Sequence, residues 1–221
     1  MSGIMPKTQY ADAVSKQPNT LVELLQCQAE VLGDKCAIAD TSGRSLSYSQ
    51  LDHITQCTAE ALQDRGVKPA QRVAVVLPQG LEILLSFLAI SRFASFVPLN
   101  PDFTEHEFAY FLKATGVTML LTHAGLPGAA ANAAKAQGIA HIQIEGWSHE
   151  GLCFTNIAEA RQAQRAIPVR SDDEAVMLAT SIFLHPCPLP KFASRRTRHC
   201  RPSAYMLQTS WNTERGKGEM I

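Results

Sequence analysis

The chain has no long apolar run, no paired-cysteine motif and no excess of charge, and each absence excludes something. No stretch approaches the roughly 20 consecutive apolar residues that span a bilayer, so no membrane role is expected. The opening residues, MSGIMPKTQYADAV, lack the basic-then-apolar layout of a secretory leader, and the closing GEMI is not a peroxisomal address. The cytoplasm is the expected location. The six cysteines (Cys27, Cys36, Cys57, Cys153, Cys187 and Cys200) form no C-x-x-C pair. Most lie in apolar segments and read as small buried hydrophobes, not as a disulfide framework. His185, Cys187, His199 and Cys200 lack the paired spacing of a zinc site, and no metal site is expected. There is no internal repeat.

What is present is a globular composition: 221 residues, 46% hydrophobic, formal net charge zero. That suits one large domain, or one domain with an appendage. The zero conceals a division, because residues 1–181 hold 13 Lys/Arg against 18 Asp/Glu while residues 182–221 hold 7 against 2. Four prolines (Pro186, Pro188, Pro190 and Pro202) also fall in that last stretch. The chain changes character near Ser181.

Before that point the periodicity is regular. Thr20-Leu-Val-Glu23 has the spacing of a capping box, Leu21, Leu24, Leu25 and Leu32 recur at helical intervals, and Gly33 ends the helix. CAIAD and SLSY, joined by a Thr-Ser-Gly-Arg turn, predict a hairpin, followed by a helix from about residue 49 to 65. RVAVVLP (72–78) predicts a strand buried on both faces. LEILLSFLAISRFA predicts a helix over 81–94, and SFVPLN the next strand. Thr104-Glu-His-Glu107 opens another capped helix. VTMLLTH, an alanine-rich helix over 128–138, IAHIQI, a helix in TNIAEARQAQR and a strand in EAVMLATS complete the series. The alternation implies an α/β fold, an open and largely parallel sheet flanked by helices. The expected divisions are a flexible N-terminus (1–19), a helix-hairpin-helix segment of a first subdomain (20–66), an α/β subdomain (67–181) and an irregular basic tail (182–221).

The ordered motifs SLSYSQLD and RVAVVLPQGLEILLSFLAISRFASFVPLNPDFTEHEFAYFL resemble the N-terminal region of the AMP-forming adenylating enzymes. That superfamily includes acyl-CoA synthetases, luciferases of the firefly type and peptide-synthetase adenylation domains. The VPLNP-DFTEHEF-YFL pattern is most similar to small-acid CoA ligases of the oxalate–CoA ligase type. The resemblance implies activation of a small carboxylic acid as an acyl-adenylate and transfer to coenzyme A, with ATP, Mg2+ and coenzyme A as cofactors. It also implies that this chain is incomplete relative to the family, since later adenine-, ribose- and lysine-bearing motifs have no counterpart before Ile221. An apolar face and strand edges are then left open, and self-association is expected.

In that family a D-D-x-A-x-x-x-x-T-S strand leads into a Ser/Thr/Gly-rich phosphate loop ending in Pro-Lys. Glycines let main-chain N–H groups approach the phosphates, and lysine supplies a point charge. Here Asp172, Asp173, Ala175, Thr180 and Ser181 match the approach, and Pro190-Lys191 the exit. By family position Thr180, Ser181 and Lys191 are the phosphate-binding candidates. No catalytic residue is assigned. Between them stands IFLHPCPL, in which Pro186 and Pro188 carry no N–H and Ile182, Phe183 and Leu184 add bulk. Losing two hydrogen bonds to a charged group weakens binding by about 3–6 kcal/mol, roughly a hundredfold or more. A chain inactive alone is therefore expected.

Other features carry simpler readings. Asp172, Asp173 and Glu174 read as turn residues feeding a strand, His123 as a polar strand end, and His53 and His106 as helix-surface residues. RRTRHCR (195–201) has no aromatic interleaving, so nucleic acid is not an expected partner. The alternative function is a non-catalytic interaction protein whose basic tail, 182–221, contacts an acidic partner. PSAYMLQTSWNTERGKG (202–218) echoes the helix and turn that follow the family's phosphate loop, as a shift of reading frame or splice junction near codon 181 would produce.

Overall fold

A β-branched run such as Arg72-Val-Ala-Val-Val76 is at home only where both faces of a sheet are covered. The computed structural model describes residues 18–40, 43–155, 170, 173–178 and 207–208, and it places this run inside such a sheet. In chain order the elements are α1 (Leu21–Leu32), β1 (Cys36–Ala39), β2 (Ser45–Ser47), α2 (Tyr48–Asp64), β3 (Arg72–Val76), α3 (Leu81–Ile90) and β4 (Ser95–Pro98). They continue as α4 (Glu105–Thr115), β5 (Met119–His123), α5 (Ala129–Ala136), β6 (Ala140–Ser148), β7 (Gly151–Phe154), β8 (Met177–Leu178) and β9 (Leu207–Gln208).

Five strands form the main sheet in the order β4-β3-β5-β6-β7. The β4, β3, β5 and β6 neighbours are parallel, and β7 returns antiparallel to β6. Alternation along β3 divides the core. Val73 and Val75 face a layer built from α2 and α3, with Ile54, Leu62, Leu85 and Ile90. Ala74 and Val76 face the opposite layer, α4 and α5, with Phe108, Leu112, Ala130 and Ala134. Val73, Ala74 and Val75 have no exposed surface. The fold is α/β, a mostly parallel sheet with helices on both faces, as the alternation of periods implies.

Local chemistry starts the helices. Thr104 Oγ1 accepts from the Glu107 N–H at 3.3 Å, and Glu107 Oε2 accepts from the Thr104 N–H at 2.8 Å. Ser47 and Gln50 make the same reciprocal cap on α2, a box that the hairpin motif around it obscures in the sequence. At α1 the box is shifted: Thr20 accepts from the Glu23 N–H, but the Glu23 carboxylate reaches back to the Asn19 N–H, one residue earlier than expected.

Other differences have physical reasons. Helix α3 ends at Ile90 instead of running to 94. Buried Arg92 follows, and its guanidinium pairs with Asp52, the Thr55 hydroxyl and Gln56 on α2, which holds the first segment against the sheet. Strand β6 runs on to Ser148 and folds back as β7, a hairpin not anticipated from the sequence. Gly151 sits there at φ +125°, and a Cβ would lie 2.9 Å from Thr58 Oγ1, so the strand approaches α2 closely enough for Leu152 N–H to donate to Thr58. The four described cysteines are free; Cys36 and Cys153 are exposed and Cys27 and Cys57 half-buried, because they occupy outward positions on their elements instead of core ones. The expected helix in TNIAEARQAQR and most of the basic tail lie outside the described residues.

The Thr104 cap holds the Glu107 carboxyl below the usual 4.5, chiefly through the Thr104 N–H and then its hydroxyl. A depressed carboxylate pKa stabilises above the unfolded value, and that contribution is lost as pH falls through the folded one. Thr104→Ala is expected to raise the Glu107 pKa part of the way to 4.5, read by NMR titration. It is also expected to lower the thermal midpoint by about 2–4 °C.

Candidate functional site

Chain order and strand order together locate a crevice. The β3–β4 crossover goes to one side of β3 and the β4–β5 crossover to the other, so the order reverses between β3 and β5. Open α/β sheets take ligands outside the carboxyl ends of their strands at such a point. Here residues 77–80 follow β3, and His123 closes β5. The Gly125 N–H donates to His123 Nδ1 at 3.0 Å. A ring whose Nδ1 accepts carries its proton on Nε2 when neutral, leaving that nitrogen as a donor. A Cβ at position 125 would lie 3.3 Å from Nδ1, so a larger residue there would push the ring by a few tenths of an ångström. His123 is thus a polar strand end whose ring caps the turn that follows, and no described residue completes a catalytic pair with it.

A second approach to the same edge comes from the chain near 176. Val176 bridges Phe96 in the parallel sense, which puts residues 176–178 beside β4 and running in the same direction as it. Gln208 and Leu207 pair antiparallel with Met177 and Leu178, so the described residues on either side of 179–206 meet at one place. The phosphate-binding candidates Thr180, Ser181 and Lys191 lie outside the described residues, as do Asp172, His185, Cys187, His199 and Cys200.

The amino end of this strand is firmly tied. Arg72 Nε and Nη2 donate to the two Glu174 oxygens at 2.9 and 3.1 Å, and Nη1 donates to the Thr115 carbonyl at 3.0 Å. The Ser95 hydroxyl donates to the Glu174 carbonyl at 2.6 Å, and the Phe96 N–H to the Ala175 carbonyl at 3.0 Å. These groups border a cleft of about 410 Å³ at the amino edge of the sheet, walled also by Phe93, Ser91 and Thr118. It lies at the end of the sheet opposite the crevice, and the Arg72 cation on its wall is already paired with Glu174 and the Thr115 carbonyl, so the carboxyl edge is the better candidate for chemistry. Glu174 is an ion-pair residue, where the sequence suggested only a turn. Asp173 does cap a turn, its carboxylate accepting from the Arg170 N–H at 2.8 Å.

The remaining titratable groups fit structural roles. His53 and His106 are exposed on α2 and α4. His141 Nε2 lies 2.8 Å from the Thr122 hydroxyl, and burial holds the imidazole below its usual range. Among the described residues no three His, Cys, Asp or Glu side chains are grouped to hold a metal. The Arg72–Glu174 pair escaped sequence reasoning because its members are 102 residues apart and no local motif links them. Nitrogen-15 NMR of the His123 ring at neutral pH is expected to show the Nε2–H tautomer, with Gly125→Ala abolishing the preference; an Nδ1–H ring in the parent chain would contradict the geometry.

Comparison with known proteins agrees with this arrangement. Oxalate–CoA ligase of Arabidopsis thaliana is 27% identical over 202 residues, covering 90% of this chain and 34% of that protein. Residues 1–181 make up about 82% of the chain, so that match extends beyond Ser181. Tyrocidine synthase 3 of Brevibacillus parabrevis is 33% identical over 107 residues, 48% of this chain and 2% of that protein. The crystal structure of ATP-bound MatB from Rhodopseudomonas palustris superposes with a TM-score of 0.60 at 26% identity, over 74% of this chain and 32% of that one. The chain thus spans about a third of the length of the ligase and of MatB. The profile of the family described as AMP-binding enzyme matches residues 25–181, and with the sheet and its crevice in place and the D-D-x-A-x-x-x-x-T-S motif in the sequence, the chain belongs to that family.

Proposed function

We propose that the chain carries the scaffold of an ATP-dependent, AMP-forming acid–CoA ligase but does not itself turn over, because the segment in the phosphate-loop position does not hold ATP. The family assignment and the likeness to oxalate–CoA ligase support the reaction class and a small carboxylic acid as substrate. The single observation that carries the inactivity is the sequence between Ser181 and Pro190, IFLHPCPL. Phosphate loops work by converging main-chain N–H groups on an anion. Pro186 and Pro188 have none to offer, and the branched or aromatic side chains at 182–184 occupy the space that the main chain would need. These residues do not fit a triphosphate, and with no acidic cluster for Mg2+ among the described residues no catalytic step is assigned to either group. Thr180, Ser181 and Lys191 keep family positions and are the phosphate contacts we assign if any binding survives.

A second reading has its own observation, the seven Lys/Arg against two Asp/Glu in residues 182–221. On that reading the chain is a non-catalytic interaction protein, and the tail meets an acidic partner. Pyrophosphate release with a panel of small acids and coenzyme A, read beside a pull-down, separates the two. Turnover would contradict the proposed inactivity; no turnover, together with a pull-down lost on removing 182–221, supports the binder, and no turnover without such a pull-down supports the incomplete ligase. The cytoplasm is the proposed location, and no described helix is long and apolar enough to cross a membrane. Self-association through open strand edges is proposed as well, and a sharp monomer peak in size-exclusion chromatography would contradict it.

The direct test of the loop reading is calorimetric titration with Mg·ATP. The parent chain is expected to show no saturable binding up to about 1 mM. Replacing residues 182–189 by a short Gly/Thr/Ser-rich segment is expected to improve affinity at least about a hundredfold. Micromolar affinity in the parent chain would sink the proposal.

A further inference from the structure

The strand that leads to the loop position buries Met177 in the core and pairs with β9, but its main-chain link to the main sheet is slight. Its described part joins the main sheet by one parallel bridge, Phe96 to Val176, and β8 is only two residues long. Two such residues at a sheet edge cannot fix a position by main-chain pairing alone. What is unusual is the strength of the tie at their amino end. Arg72 begins β3, Ser95 begins β4, and the two are register partners. The Arg72 side chain reaches past β4 to Glu174 through two parallel N–H···O bonds, and the Ser95 hydroxyl adds a third bond to the main chain of the same residue.

Arg72 is itself fixed from three sides. Its carbonyl accepts from the Thr118 N–H at the start of β5, and Nη1 donates to the Thr115 carbonyl at the end of α4. Gly116, at φ +64°, turns the chain there, and a Cβ at that position would lie 3.8 Å from Nη1. Glu174 has 13% of its side chain exposed and Arg72 36%, so the pair is partly withdrawn from water, and its planar fork excludes lysine as an equivalent.

We propose that Arg72 and Glu174 are positioning residues, a latch that sets the place and register of segment 174–178 and hence the point from which the chain continues towards residue 181. The latch rests on the proposed function only for what the chain beyond that point would contact. Its own action is to keep 176–178 closed against β4 while the rest of the sheet stands without it. Local opening free energies differ across a fold, and a short edge strand opens first.

Hydrogen exchange of the full chain without nucleotide tests this separately from the loop reading. Arg72→Met and the milder Glu174→Gln are each expected to speed exchange of the 176–178 amides at least about tenfold, leaving β5 and β6 unchanged. The double exchange Arg72→Glu with Glu174→Arg is expected to recover most of the protection, which a role of Arg72 in packing alone would not allow. Unchanged exchange at 176–178 in both single variants overturns the proposal. So does loss of protection spread evenly over the sheet, or failure of the charge-exchanged variant to recover.

Discussion

The structure depends on one constraint: the parallel strands around β3 have no face free for water. Val73 and Val75 need the α2–α3 layer, while Ala74 and Val76 need the α4–α5 layer. Burying those faces is the main favourable term in the fold, and it obliges the chain to cross from one layer to the other between strands. The crossovers then reverse the strand order between β3 and β5 and create the crevice at the carboxyl edge. His123 and the strand past Val176 arrive at that edge because of packing demands made elsewhere.

Polar contacts refine what burial sets up. Arg92 is nearly fully buried, and its partners on α2 compensate the loss of water that an unpaired guanidinium would suffer. Arg72 plays a comparable part at the amino edge, where an arginine fork spans two strands. Both residues join segments far apart in the chain, so each fixes tertiary geometry and not a local turn. The family match runs to residue 181. The proposed inactivity rests on the sequence that follows, in which Pro186, Pro188 and the bulky residues 182–184 stand.

Much of this was legible in the residues. The capped helix at Thr104, the doubly buried run at 72–76 and the alanine-rich α5 announce themselves by spacing and composition, because local propensity and tertiary packing agree there. The family itself was readable from ordered motifs in residues 45–52 and 72–112, and its profile matches from residue 25. The β6–β7 hairpin was not, since its turn relies on Gly151 approaching Thr58, a contact 93 positions away in the chain. The exposure of Cys36 and Cys153 was missed for a related reason: an apolar neighbourhood in sequence does not say which way a strand residue points. At the candidate site the crevice follows from strand order, but the Arg72–Glu174 pair has no signature in either local segment.

The measurement that bears most directly on the account is a crystal structure of the chain grown with Mg·ATP. The account predicts segment 174–178 seated beside β4, Arg72 forked onto Glu174, and no nucleotide density at the carboxyl edge. Ordered triphosphate density held by main-chain amides of residues 180–191 would contradict it.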